Sequence, residues 1–178
     1  MSVLPIHLLG SPVLREASAR VAEVSDEVRR LVEDMFETMD AAEGVGLAAN
    51  QVGHALRVAV VDADGHRFAM INPVIVEASG KESQEEGCLS IPEIYAEVTR
   101  PDRVVLEAIG ADGVPYRIEA EGLKARAIQH EIDHLDGILF LDRLSPLKRR
   151  LLTAKYRRDH KEGESLLREV ARPSGQSS

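Results

Sequence analysis

The 178-residue chain is 44% apolar and 29% charged with a formal net charge of −8, a composition that fits one globular domain and excludes a wholly disordered chain. No apolar run reaches the roughly 18 residues of a membrane span, and the acidic balance argues against general nucleic-acid binding across the surface. The single cysteine, Cys88, excludes an intrachain disulfide framework.

The opening residues, MSVLPIHLLGSP, lack the basic n-region and small-residue cleavage site of a secretory signal, so a reducing, cytoplasmic location is expected. Ser25 is placed to cap a helix whose first turn holds Asp26 and Glu27. Val28, Leu31, Val32, Met35, Phe36 and Met39 recur at helical spacing behind it. That helix should end before Gly44-Val45-Gly46, which reads as a loop.

From Leu56 to Thr99 the pattern changes to short β-rich runs, 56–61, 68–72 and 74–77, with Asp64-Gly65 as a turn. Val104 to Ile109 and Tyr116 to Ala120 flank Asp112-Gly113, a second hairpin signal. A helix is predicted from about Leu123 until Gly137 stops it. Ser145-Pro146 opens another, with Leu147, Leu151, Leu152 and Tyr156 as its inner stripe. Residues 1–163 are thus expected to form one domain, and 164–178, ending Pro-Ser-Gly-Gln-Ser-Ser, a flexible tail.

The chemistry concentrates in His130 to Gly137, HEIDHLDG. Two histidines four apart share one helix face and can hold one cation, with Glu131 beside them as a general base. On a helical wheel Leu123, Ala127 and His134 fall within about 60 degrees of His130, whereas Arg126, Gln129, Asp133 and Asp136 gather on an arc that reads as solvated. Taken alone, HEIDH is equally compatible with two core histidines satisfied by backbone carbonyls.

A metal on two imidazoles needs a further ligand. The longer HExxHxxGxxH pattern fails because Phe140 stands at the third histidine position. A zinc endopeptidase would require a downstream glutamate such as Glu162 or Glu164. Cys88, in Glu86-Gly87-Cys88-Leu89-Ser90, is the better candidate, since a His2Cys set leaves one position open for water. By itself that cysteine is more simply a small core residue. A noncatalytic, metal-stabilised binding module is the remaining alternative.

Gly44-Val45-Gly46-Leu47-Ala48-Ala49-Asn50-Gln51 superficially fits a dinucleotide fingerprint, but it follows a predicted helix where that fingerprint needs a strand, so no nucleotide cofactor is expected. Its glycines would instead let backbone approach a ligand, and Gln51 offers an amide donor to a developing oxyanion.

GVGLAANQ, EGCLS and QHEIDHLDG, in this order and spacing, resemble the three motifs of the peptide deformylase family, and the resemblance runs from about Ser11 to Arg143. It implies an α+β single domain with mostly antiparallel sheets packed around a central HExxH helix, flanked by an N-terminal and a C-terminal helix. It further implies one divalent metal, Fe(II) natively and replaceable by Zn, Ni or Co, on Cys88, His130 and His134. Glu131 would be the general base and acid. Gln51 and the backbone NH of Leu89 would hold the oxygen of the attacked formyl group. The implied substrate is the N-formyl-methionine of nascent polypeptides, with formate released.

Beside that resemblance, the wheel places Leu123 and Ala127 with the histidines. Together with Val45 they would form an apolar slot for the methionine side chain, and backbone at Gly46 and Gly87 could pair with an extended peptide. Ile94-Tyr95 stand where several family members carry an arginine. Residues 148–162 hold seven Lys or Arg against Asp159 and Glu162, which raises a contact with ribosomal RNA, or simply a solvated helix face.

Overall fold

A computed structural model describes residues 2–160 and 165–172. The elements are β1 (Ile6–His7), α1 (Asp26–Ala41), β2 (Gly46–Ala48), β3 (Val58–Ala63), β4 (His66–Ser79), β5 (Glu82–Cys88), β6 (Ile91–Arg100), β7 (Arg103–Ile109), β8 (Pro115–Glu121), α2 (Gly122–Leu135), α3 (Pro146–Asp159) and β9 (Leu167–Arg168). This is an α+β fold, and every strand pairing is antiparallel.

Five strands form one sheet in the order β2-β3-β4-β7-β8, while β5-β6 and β1-β9 are separate two-stranded sheets. α1 begins as its sequence dictates: the Ser25 hydroxyl accepts from Val28 N, and Val28, Leu31, Val32, Met35 and Met39 are buried. Those side chains pack with Val58, Val60 and Ile71 on one face of the sheet. The alternate residues Ala59, Val61 and Ala63 face the other way, with Met70 and Leu106, against Ile128 and Leu135 of α2. A strand covered on both faces explains why 58–61 reads as a continuous apolar run without alternation.

The segments expected at 68–72 and 74–77 are one strand, bent at a register shift between Ile71 and Val74 where Asn72 adopts φ 51°. Its amide explains the shape, because it accepts from Val21 N and donates to Val21 O at 2.9 and 2.8 Å. Gly46 is not part of a loop: it opens β2, pairing with Val61.

Two helix expectations need correction. On α2, Arg126, Gln129 and Asp133 are 7–8% exposed, not solvated. The β5–β6 hairpin supplies partners for Arg126 and Asp133, and Gln129 donates to Pro101 O just beyond it at 2.9 Å. On α3 only Tyr156 is buried, with Leu152 half-buried, whereas Leu147 and Leu151 are 62% and 59% exposed. With Tyr156 inward, a 3.6-residue period turns Leu147 and Leu151 away by about 180 and 140 degrees.

Part of the expected C-terminal tail, 165–172, lies within the described residues. Leu167 and Arg168 pair with His7 and Ile6, because the edge of β1 offers backbone groups that a strand can satisfy. Glu162, Glu164 and residues 173–178 lie outside the described residues, as does Lys161 of the basic segment. Among the described residues no helix is long and apolar enough to cross a membrane.

Candidate metal centre and its cleft

α2 ends where Gly137 takes φ 74°, a conformation that favours glycine, and a Cβ there would fall 2.8 Å from Arg15 O. The helix brings His130 and His134 to one point, with Nε2 atoms 3.2 Å apart. Cys88, at the end of β5, adds its Sγ at 3.3 Å from His134 Nε2. The three ligand atoms lie within 4.8 Å of one another, and the group could hold a metal ion.

Three tests support the fit. Two facing Nε2 atoms and a sulfur cannot all be donors to one another, so at least one lone pair points into the group. Glu131 is 3% exposed, and its Oε1 has no hydrogen-bond partner among the described residues. Burial opposes a charge on His130, yet Glu131, Cys88 and Glu86 outweigh it and favour the protonated ring, while burial and His130 drive His134 toward neutrality. The pocket is therefore electrostatically suited to one additional positive charge.

Glu131 sits beneath β2. Burial pushes its carboxyl up to about 7, against the pull of His130. A Cβ at Gly46 would overlap Glu131 Oε2, so only glycine lets the strand pass so close to the carboxylate. Gln51 is 1% exposed; its Oε1 accepts from Ala48 N at 2.9 Å, and its Nε2 lies 3.0 Å from Ser90 Oγ and 3.6 Å from Cys88 Sγ.

The triad opens on a cleft of about 720 Å³ lined by Val45, Gly46, Gln51, Gly87, Cys88, Leu89, Leu123, Ala127, His130 and Glu131, among others. Every residue singled out in the sequence except His134 lines it, and His134 lies beneath, 1% exposed. Val45 and Leu123 are 44% and 48% exposed, so their apolar surface faces the opening. β2 is the edge strand of its sheet, which leaves one side of Gly46–Ala48 without a strand partner among the described residues.

Sequence reasoning left Glu86, Arg126 and Asp133 of the shell behind the triad unrecognised. Glu86 Oε1 accepts from His130 Nδ1 at 2.9 Å and from Arg100 Nη2 at 3.0 Å. Its Oε2 accepts from Arg100 Nε and Arg126 Nη1, both at 2.6 Å. Arg100 continues to Asp133 at 2.9 Å, and Arg143 donates to Asp133 from the far side. Burial would raise the Glu86 carboxyl, but the bonds from His130 and Arg100 overcome it and hold it at about 2. The signal was available only in part: charges at 86, 100, 126 and 133 are plain, but nothing local shows that they are buried together.

A family model described as polypeptide deformylase matches residues 3–150. A peptide deformylase of Brucella suis biovar 1 is 48% identical over 164 residues, 89% of this chain and 94% of that protein. A peptide deformylase structure from Legionella pneumophila superimposes with a TM-score of 0.85 at 41% identity, covering 89% of this chain and 95% of that one. The Ehrlichia chaffeensis peptide deformylase in complex with actinonin gives 0.86 at 39% identity, covering 90% and 99%. With a matching fold and the sequence likeness spanning the whole candidate site, the chain belongs to the polypeptide deformylase family of enzymes.

Proposed function

We propose that this enzyme removes the formyl group from the N-terminal formyl-methionine of nascent polypeptides, releasing formate. The observation that carries the reading is the convergence of Cys88, His130 and His134 beside a buried carboxylate in a cleft bordered by an open strand edge. The three residues would hold one divalent metal, Fe(II) in the cell by the family resemblance. Such an ion supplies Lewis acidity that lowers the pKa of water toward neutrality.

Glu131 then takes a proton from the attacking water, a role suited to a carboxyl held near the working pH. As hydroxide adds to the formyl carbon, Gln51 Nε2 and the Leu89 NH donate to the oxygen that becomes anionic. Glu131 returns its proton to the departing amine, the C–N bond breaks, and formate leaves. Val45, Leu123 and Ala127 wall the methionine side chain, while the main chain at Gly46 and Gly87 pairs with the extended peptide.

Formate release from a formyl-Met peptide by metal-loaded protein, prepared without oxygen, is the direct test. Glu131→Gln should lose on the order of 10²–10⁴-fold in rate while keeping its metal. No release would overturn the reading, and cleavage of internal peptide bonds would favour a zinc endopeptidase. Against that alternative, the Cys88 sulfur stands with the two imidazoles as a third possible ligand atom.

The basic segment supports a second proposal, docking on ribosomal RNA. Its observation is the outward face of α3, where Lys148, Arg150, Lys155 and Arg158 accompany the exposed Leu147 and Leu151. Replacing those four cations with glutamine should abolish salt-dependent cosedimentation with ribosomes and leave peptide turnover intact; unchanged cosedimentation would leave a solvated helix face.

A further inference from the structure

β9 brings to the candidate cleft an arginine that none of the described residues engages through its side chain. Arg168 stands opposite Ile6, and Leu8 N donates to Leu166 O at 2.8 Å. The next residue, Leu9, donates to Ser90 O at 2.9 Å, two positions beyond Cys88. The C-terminal strand is thereby fastened, through β1, to the loop that follows the thiol.

Arg168 is half-buried and lines the same cleft as Cys88, His130 and Glu131. The other arginine there, Arg126, directs its donors to Glu86, Val98 O and Glu82 O. Among the described residues Arg168 has no such partner: Glu43, Glu85 and Glu93 line the cleft too, yet none forms an ion pair with it. A guanidinium carries five donors and no acceptor, and the Arg168 nitrogens are not sealed within the protein, so they can meet the acceptors of a ligand in the cleft. What it lacks is oxygen.

Resting on the deformylase reading, the location says which oxygen. The reacting end is enclosed by Gln51, Cys88, His130 and Glu131, and Val45, Leu123 and Ala127 take the methionine side chain. Arg168 comes from a two-stranded sheet outside both groups while lining the same cleft. We propose that Arg168 is a specificity-determining residue, donating to acceptor oxygens of the peptide beyond the formylated methionine, so that affinity grows with substrate length.

The backbone, not the side chain, pairs β9 with β1, so Arg168 can be replaced without removing the strand. Arg168→Ala and Arg168→Lys are compared with the unmodified metal-loaded enzyme on three substrates: formyl-Met amide, formyl-Met-Ala-Ala amide and formyl-Met-Ala-Asp amide. Arg168→Ala should lose about 10-fold in kcat/KM on the tripeptides, as expected for one charge-assisted hydrogen bond. The loss should fall on KM, as for binding shared by ground and transition states, with less than about a 2-fold change on formyl-Met amide. Arg168→Lys should recover part of it.

Equal losses on the two tripeptides identify a main-chain carbonyl as the acceptor, and a larger loss on the aspartate peptide identifies a carboxylate. The same loss on all three substrates, or none on any, overturns the inference. An unmodified enzyme that releases no formate from any of them overturns the deformylase reading itself, and the inference with it.

Discussion

His130 Nδ1 donates to Glu86 Oε1 at 2.9 Å, which leaves His130 Nε2 unprotonated when the ring is neutral and directs it toward His134 Nε2. A carboxylate can only accept, so this bond selects the tautomer that a cation needs. Glu86→Gln should therefore weaken metal binding about 10–100-fold, the range for losing a carboxylate behind a ligating histidine. Titration of the apo protein with Co(II) or Zn(II) measures it, and unchanged affinity would remove Glu86 from that role.

The same carboxylate sets an acid limit on stability. Its folded value is about 2, whereas an unfolded glutamate titrates near 4.3, so folding favours the deprotonated form. The contribution is fully present above about pH 4.3 and is lost as pH falls through 2, on the order of 3 kcal/mol in all. Denaturant unfolding of apo protein between pH 5 and about pH 2 should show a shallower decline for Glu86→Gln than for the unmodified chain. Parallel declines would contradict it.

Cys88 would contribute a ligand atom without closing a core. It is only partly buried at the edge of the cluster containing Ile91, Ile94 and Phe140. Cys88→Ala should leave the fold intact and reduce metal affinity on the order of 100-fold or more, as loss of one ligand from a small set implies. Circular dichroism with metal analysis separates the two effects; full metal content in the variant would exclude the thiolate.

Gly46 is defined by what lies beneath it. A Cβ would overlap Glu131 Oε2, so Gly46→Ala must displace either β2 or the carboxylate. Misplacement of about 1 Å at a reacting group can cost about 100-fold. Formate release should fall by roughly that factor while metal content stays the same, and an unaltered rate would show that Glu131 has freedom to move.

The exposed leucines of α3 offer a check on the corrected helix face. Leu151→Ala should change stability by no more than about 0.5 kcal/mol, as for a surface position. Tyr156→Ala, which empties a buried ring site among Leu139, Phe140 and Leu141, should cost about 3 kcal/mol. Urea denaturation of both variants decides, and a reversed order would restore Leu151 to the core.

Much of this protein was legible in the sequence because the relevant physics is local. Ser25 ahead of a helical apolar stripe, Asp64-Gly65 between β runs and Gly137 after His134 each specify backbone over a few residues, and four-residue spacing alone puts two imidazoles on one helix face. Three short motifs then sufficed for the family. Tertiary structure alone decided which polar residues are buried, because that depends on what covers them: the β5–β6 hairpin turns an apparently solvated arc of α2 into an ion network around Glu86 and Arg100. It also decided the fate of the C-terminal end, since the free edge of β1 captures Leu167 and Arg168 and sets an arginine in the cleft. Such pairing is made by main-chain groups that every residue carries, so no local pattern in 165–172 announces it.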